Sequence, residues 1–315
     1  MEMEMKIFVA GGSGAIGRSL VPMLVEAGHR VVAMTRSTGH ASSLEAMGAI
    51  PVIGDVYDIE RLTELVASAE PDTVVHQLTA FGSTDADPLE ETIRVRTEGT
   101  RNLVKAARVA GARRFIAQSI SFICSPSQAG LTSEETPLYL DASDAIRPLA
   151  EAVAVLERLT LYTDGLEGVV LRYGWFYGPG TNYDPAGSIP RSILKGRAPM
   201  VGEGAGTYSF IHVDDAARAT MKALIRAKPG IYNIVDDDPA RLSEWLPVVA
   251  KLLHAPAPNR MDESSARQLL GDMLVYIMNE QRGASNAKAR RELEWEPRIH
   301  SWREGFKAIY ATLPQ

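Results

Sequence analysis

Two periods of apolar spacing alternate along the first half of the chain. Short apolar runs at residues 7–10, 31–34, 51–53, 73–76, 115–117 and 169–172 have strand length. Between them, apolar residues recur three and four apart. That spacing predicts helices over 19–27, 42–47, 59–68, 89–110 and 146–163. Gly28, Gly48 and Gly111 stand where three of these helices should close, and Asp58 is placed to cap another. Residues 35–40 read as a loop. Strands separated by helices at this spacing require right-handed crossovers and a parallel sheet covered on both faces. The predicted fold class is therefore α/β, a doubly wound parallel sheet.

The pattern changes after Tyr177. Residues 178–185 and 202–206 are rich in glycine, proline and turn formers, as loops bordering a ligand cleft would be. An amphipathic helix returns over 213–226, where Asp214 or Asp215 is the expected cap, and a strand over 230–235. A helical region starts at Leu242, broken by the proline-rich stretch 255–259. The expected organisation is a dinucleotide-binding domain of residues 1–178 and 209–238. A smaller, discontinuous substrate lid of residues 179–208 and 239–315 would sit at the C-terminal end of the strands.

Composition narrows the function classes. The chain has 315 residues, 45% of them hydrophobic and 23% charged, and a formal net charge of −6. It shows no basic footprint for nucleic acid and no apolar run long enough to span a membrane. A single cysteine, Cys124, excludes an intrachain disulfide, and the acidic start lacks the features of a signal peptide. A cytoplasmic protein with a small-molecule substrate is expected.

The chemistry begins at Gly11, Gly14 and Gly17, which form G-x-x-G-x-x-G between the first strand and first helix. The first glycine permits a sharp turn, the second lets backbone approach a pyrophosphate, and the third lets helix and strand pack closely. The N-terminus of the helix that follows offers free N–H groups to the phosphates, and Ala15 and Ile16 are counted with the cofactor-binding candidates. At the end of the second strand, where an NAD binder usually places an acid, stand Met34, Thr35, Arg36 and Ser37. Arg36 suits a 2′-phosphate, so NADP is favoured over NAD.

Further motifs follow in order: Gly54-Asp55-Val56-Tyr57-Asp58, His76-Gln77-Leu78-Thr79-Ala80, Glu98-Gly99-Thr100-Arg101-Asn102-Leu103, Leu171-Arg172-Tyr173, Tyr177-Gly178-Pro179-Gly180 and Ile211-His212-Val213-Asp214-Asp215. With the glycine turn, they make the chain resemble an extended short-chain dehydrogenase/reductase of the NAD-dependent epimerase/dehydratase kind, with a Rossmann fold. The resemblance implies that Asp55 meets the adenine amino group with Val56 beside the ring. It implies that Leu78, Thr79 and Ala80 pass the ribose and pyrophosphate, and that Tyr173 sits near the nicotinamide. It also implies a homodimer through the helices containing Leu103 and Leu156.

The resemblance breaks at the catalytic set. In such enzymes a Tyr-x-x-x-Lys pair moves the proton, the lysine lowering the tyrosine pKa from one helical turn away. No tyrosine in this chain stands four residues before a lysine. Aligned on Leu156-Glu157, the tyrosine position is Leu149 and the lysine position Val153, while the usual asparagine falls at Arg96. Ser119 and Ser121 remain as strand-end serines able to bond a substrate oxygen. Tyr177 is the chosen substitute proton donor, with Tyr139, Tyr183, His212, Arg96 and Glu151 as further candidates. Trp175, Phe176, Tyr177, Tyr183 and Tyr208 suggest an aromatic-lined pocket. No histidine spacing suits a metal, Cys124 reads as a buried filler, and Asp236-Asp237-Asp238 reads as a solvated strand end. The expected function is an NADP(H)-binding oxidoreductase or epimerase-like enzyme acting on a small carbonyl or hydroxyl substrate with a non-standard acid–base group. The alternatives are a cofactor-binding sensor or interaction protein, and a non-redox lyase or isomerase that reuses the cleft.

Overall fold

The computed structural model describes residues 4–80, 88–127 and 129–311. Its centre is a seven-stranded parallel sheet. Six of the strands are β1 (Lys6–Ala10), β2 (Arg30–Thr35), β3 (Ile50–Ile53), β4 (Thr73–His76), β5 (Arg114–Ile120) and β6 (Glu167–Tyr173). With the strand Gly230–Ile234 at one edge, the order across the sheet is Gly230–Ile234, β6, β5, β4, β1, β2, β3. The order reverses direction between β1 and β4, and in such sheets the crevice at that point is where ligands bind. In register, Val9 of β1 lies between Ala33 of β2 and Val75 of β4.

Alternation along each strand explains why the sheet is apolar on both faces. Val9, Ala33, Val75 and Ile116 point to one side and pack with Leu20 and Leu24 of helix α1 (Ala15–Glu26) and with Ala216, Ala219 and Ala223 of the helix Val213–Arg226. Phe8, Val32, Val74 and Phe115 point to the other. There they meet Leu62 and Val66 of α3 (Ile59–Ala69), Leu103 and Ala107 of α5 (Thr100–Val109), and Leu156 of α6 (Arg147–Leu161).

Two helix boundaries differ from the sequence pattern. Helix α2 covers Thr38–Ala46 with Ser37 as its N-cap, so the second half of the expected loop at 35–40 is helical. Gly39 and His40 obscure the apolar periodicity there. The single helix expected over 89–110 is α4 (Pro88–Arg94), a π-helical turn (Val95–Gly99) and α5. The Thr97 hydroxyl donates to the Ile93 carbonyl and the Thr100 hydroxyl to the Val95 carbonyl across this turn.

Beyond β6 the chain builds a second, aromatic core. Tyr177, Tyr183, Tyr208, Phe210, Trp245, Trp302 and Phe306 pack as one cluster, with Tyr177 5.0 Å from Phe306 between ring centres. Asp236–Asp238 tie this region together and are not a solvated strand end. Asp236 is buried, Asp237 accepts from Asn286 and Arg290 and bonds His300, and Asp238 accepts from Ser301 and Arg303. No described helix is long and apolar enough to cross a membrane.

Candidate functional site

A cleft of about 550 Å³ opens at the C-terminal edge of β1, β2 and β4. Its floor is the turn between β1 and α1. Gly11 has φ +94°, and a Cβ there would lie 2.8 Å from the Gln77 carbonyl oxygen. A Cβ on Gly17 would lie 2.3 Å from the Gly12 carbonyl oxygen, so this glycine serves the close packing of α1 on its own turn and stays out of the cleft lining. Gly14 is the N-cap of α1 and brings no capping side chain, and no acid stands in the first turn. The first N–H groups of α1 are therefore open to an anion. Gly11, Gly14, Ala15 and Ile16 all line the cleft.

One end of the cleft suits an adenosine. Asp55 and Val56 line it. One Asp55 oxygen accepts the Tyr57 N–H at 3.0 Å, which fixes the carboxylate. The Val56 carbonyl accepts from Asn102 at 3.0 Å. Tyr57 donates to Glu91 at 2.9 Å and carries the Arg94 guanidinium 3.7 Å from its ring centre, while burial and Glu91 push its pKa up. At the end of β2, Arg36 lines the rim with Ser37 and His40. Ser13 and Thr35 bond through their hydroxyls at 3.3 Å beneath it. His40 and Ser13 escaped sequence reading, because Ser13 is a lone polar residue in the glycine turn and His40 fell in a stretch read as loop.

The middle of the cleft is organised by His76. Its Nδ1 accepts the Leu78 N–H at 3.2 Å, so the proton sits on Nε2 and is donated to Thr100 at 3.0 Å. Burial, aided by Arg96, holds this imidazole neutral, with its pKa down at about 3. The segment Leu78, Thr79 and Ala80 is thereby held along the cleft wall, together with Gln77. The far end is lined by Gln118 and Phe176. Gln77 and Gln118 were not singled out from the sequence, although a polar residue ending an apolar strand was the available signal.

The expected catalytic residues take other places. Tyr177 is fully buried in the aromatic core, and its ring occupies the space a side chain at Gly305 would need. Its hydroxyl has no partner, and burial pushes its pKa up, which disfavours the phenolate a proton relay needs. Ser119 is also fully buried and donates to Glu157 at 2.9 Å. Glu157 accepts two bonds of 2.7 Å from Arg172, so Ser119 completes a buried ion pair. Ser121 is buried and outside the cleft lining, and its N–H donates to the Tyr173 carbonyl at 2.9 Å. Tyr173 does not reach the cleft either. It is fully buried, its hydroxyl bonds Thr220 at 2.7 Å, and its pKa is pushed up to about 12 by burial.

The other candidates are structural or exposed. His212, rather than Asp214 or Asp215, caps the helix Val213–Arg226 by accepting the Asp214 N–H. Tyr183 and Tyr208 lie in the aromatic core and Glu151 is exposed. Cys124 is buried with its sulfur 3.6 Å from Arg172. Leu149 and Val153 share one buried cluster with Ile120, Phe122 and Tyr276. Trp175 stacks on Phe122 at 4.2 Å and donates to Gln281. Among the described residues, no group of three side chains could hold a metal.

The chain matches the family model described as the NAD dependent epimerase/dehydratase family over residues 7–235. It is 43% identical over 306 residues to the 3-diazoavenalumate denitrifying reductase of a Streptomyces species, covering 96% of this chain and 99% of that protein. It is 30% identical over 277 residues to the 2-alkyl-3-oxoalkanoate reductase of Stenotrophomonas maltophilia, covering 82% and 78%. Among solved structures, a dTDP-glucose 4,6-dehydratase from Streptomyces venezuelae with NAD bound superposes with a TM-score of 0.77 at 20% identity, covering 98% and 96%. That last likeness is one of fold.

Proposed function

Because the chain belongs to the NAD dependent epimerase/dehydratase family, we propose that it is an NADPH-dependent reductase of a diazo carboxylate that releases dinitrogen without drawing a proton from the protein. Membership makes it an NAD(P)-dependent oxidoreductase/epimerase-type enzyme. The diazo substrate and the choice of NADPH are inferred.

The observation that carries the reading is the apolar character of the helix face where a proton donor would be expected. Leu149 and Val153 are 2% and 0% exposed, and neither can move a proton. Positioned acid–base groups contribute about 10²–10⁴-fold in enzymes that need them. A substrate that needs none loses nothing when they are absent. When bound, a reduced nicotinamide would supply a hydride, and at an arenediazonium carbon that hydride would form the C–H bond as dinitrogen leaves with the C–N electron pair, so that carbon needs no proton and a neighbouring phenolate oxygen takes its proton from solvent. The 43% relative is named for a denitrifying reduction of a diazo compound, which agrees with this site.

The chain's own residues hold and orient the cofactor. Ala15 and Ile16 would take the pyrophosphate on open N–H groups where Gly11 and Gly14 let the backbone come close, Asp55 the adenine, and Leu78–Ala80 the ribose side. Gly17 lets α1 pack closely enough to do so. Arg36, with Ser37 and His40, would take a 2′-phosphate, and Thr35 in place of an acid leaves that charge unopposed. Phe176 and Gln118 would border the nicotinamide end.

The test is turnover of 3-diazo-4-hydroxybenzoate with NADPH. One dinitrogen is expected per NADPH oxidised, and Arg36→Ala should weaken NADPH by about tenfold while leaving NADH unchanged. NADPH oxidation with a matched ketone and none with the diazo acid would overturn the reading.

A further inference from the structure

The π-helical turn between α4 and α5 carries a cation that forms no ion pair among the described residues. Arg96 is 2% exposed, its Nε is buried without a partner, and it makes no hydrogen bond or ion pair among the described residues. The carboxylate that acts on it is Glu157. Both oxygens of Glu157 are already taken, by two bonds from Arg172 and one from Ser119. Two guanidinium groups therefore share one carboxylate inside the protein. His76, the other titratable group beside Arg96, is neutral and adds no negative charge. A buried guanidinium left in this condition is costly unless an anion arrives to complete it. Burial depresses its pKa to about 10, which still leaves it charged at neutral pH.

Two more features point to a ligand. Thr92, four residues earlier on the same helical stretch, also has a buried hydroxyl without a partner. The neighbouring Val95 lines the nucleotide cleft while Arg96 stands just behind that lining, so the turn that holds it lies against the site already described. π-Helical turns inside α-helices occur frequently at functional sites.

We propose that Arg96 is the substrate-holding cation of this enzyme, binding an anionic oxygen of the substrate, here a carboxylate. The assignment rests on the reductase reading for its substrate class. Arg96 supplies charge and orientation and exchanges no proton. It is a binding residue in the place where related enzymes put an asparagine.

Binding of 4-hydroxycinnamate and of its methyl ester to the NADP-loaded protein, followed by calorimetry, tests the proposal. The wild type should bind the carboxylate at least tenfold more tightly than the ester. Arg96→Met should weaken the carboxylate by about 10- to 100-fold, leave the ester alone, and leave the NADP dissociation constant within about twofold. Its melting temperature should hold or rise, because an uncompensated buried charge has gone, whereas a structural arginine would lower it. Arg96→Lys, which keeps the charge, should weaken the carboxylate less than Arg96→Met does. Equal weakening of acid and ester, weakened NADP instead, or no carboxylate binding by the wild type would overturn the assignment. Carboxylate binding intact with no dinitrogen released from the diazo acid would overturn the reductive reading alone.

Discussion

The two ends of the cleft are built on opposite plans. At the phosphate end, the β1–α1 turn presents backbone: Gly11 and Gly17 approach carbonyls so closely that a Cβ would sit at 2.8 and 2.3 Å. Beyond Gln118, β5 ends at Ile120, which with Phe122 just after it shares a cluster with Leu149 and Val153. There the described residues offer mainly apolar side chains, with Tyr276 in the cluster, Tyr139 packed against it and aliphatic residues at 149 and 153. Holding a cofactor and moving a proton are thus separable duties. On the proposed reading the chain keeps the first and does without the second, which suits a substrate that needs only a hydride at the reacting carbon.

The most drastic way to break the contrast is to restore the missing pair. Leu149→Tyr with Val153→Lys puts two larger polar side chains into a closed cluster. We expect a loss of about 1–3 kcal/mol for each, read by denaturant melts, with no gain in dinitrogen release. A faster reaction would mean that the apolar face is a deficit. At the opposite end, Gly17→Ala forces a methyl against the Gly12 carbonyl. We expect cofactor affinity to fall by about 10- to 100-fold with substrate recognition untouched, measured by nicotinamide fluorescence.

His76 sits between the ends and gives a pH signature. Its folded-state pKa of about 3 lies below the ordinary 6.5. Above 6.5 the imidazole is neutral in both states and the stability it contributes is complete. As pH falls from 6.5 toward 3, the unfolded chain takes up a proton that the native state refuses, and that stability is lost. The slope is about 1.4 kcal/mol per pH unit, and His76→Asn should flatten it in melts taken across this window. The smallest effect is expected for Tyr177→Phe. It removes a buried hydroxyl that has no partner. Turnover should stay within about twofold and stability should hold or rise slightly.

The same contrast decides what was legible in the sequence. The sheet, the strand positions and the glycine turn could be read because each depends on local pattern: apolar runs of strand length, glycine where φ is positive, Asp58 capping α3. The cleft residues Asp55, Val56, Leu78, Thr79 and Ala80 came from the family resemblance of the motifs that carry them. Tyr177 and Ser119 misled because residue type was read as role, while Tyr173 lies behind the cleft against Phe176. Whether a tyrosine at a strand end faces a cleft or a core depends on what packs on it. For Tyr177 that is Gly305, more than a hundred residues away. Ser119 is claimed by Glu157 through tertiary contact with α6, which no local pattern encodes. The π-helical turn at Val95–Gly99 was invisible for a similar reason, since its apolar spacing is that of an ordinary helix.

The central claim is that the hydrogen delivered to the product comes from the cofactor and that no protein proton joins it. The most direct test runs the diazo acid in deuterated water with ordinary NADPH, and again in ordinary water with NADPH deuterated at the transferred position. We expect no deuterium at the product carbon in the first case and one in the second, with one dinitrogen per NADPH. Deuterium taken from the solvent at that carbon would contradict the claim, because it would require a proton donor that Leu149 and Val153 cannot supply.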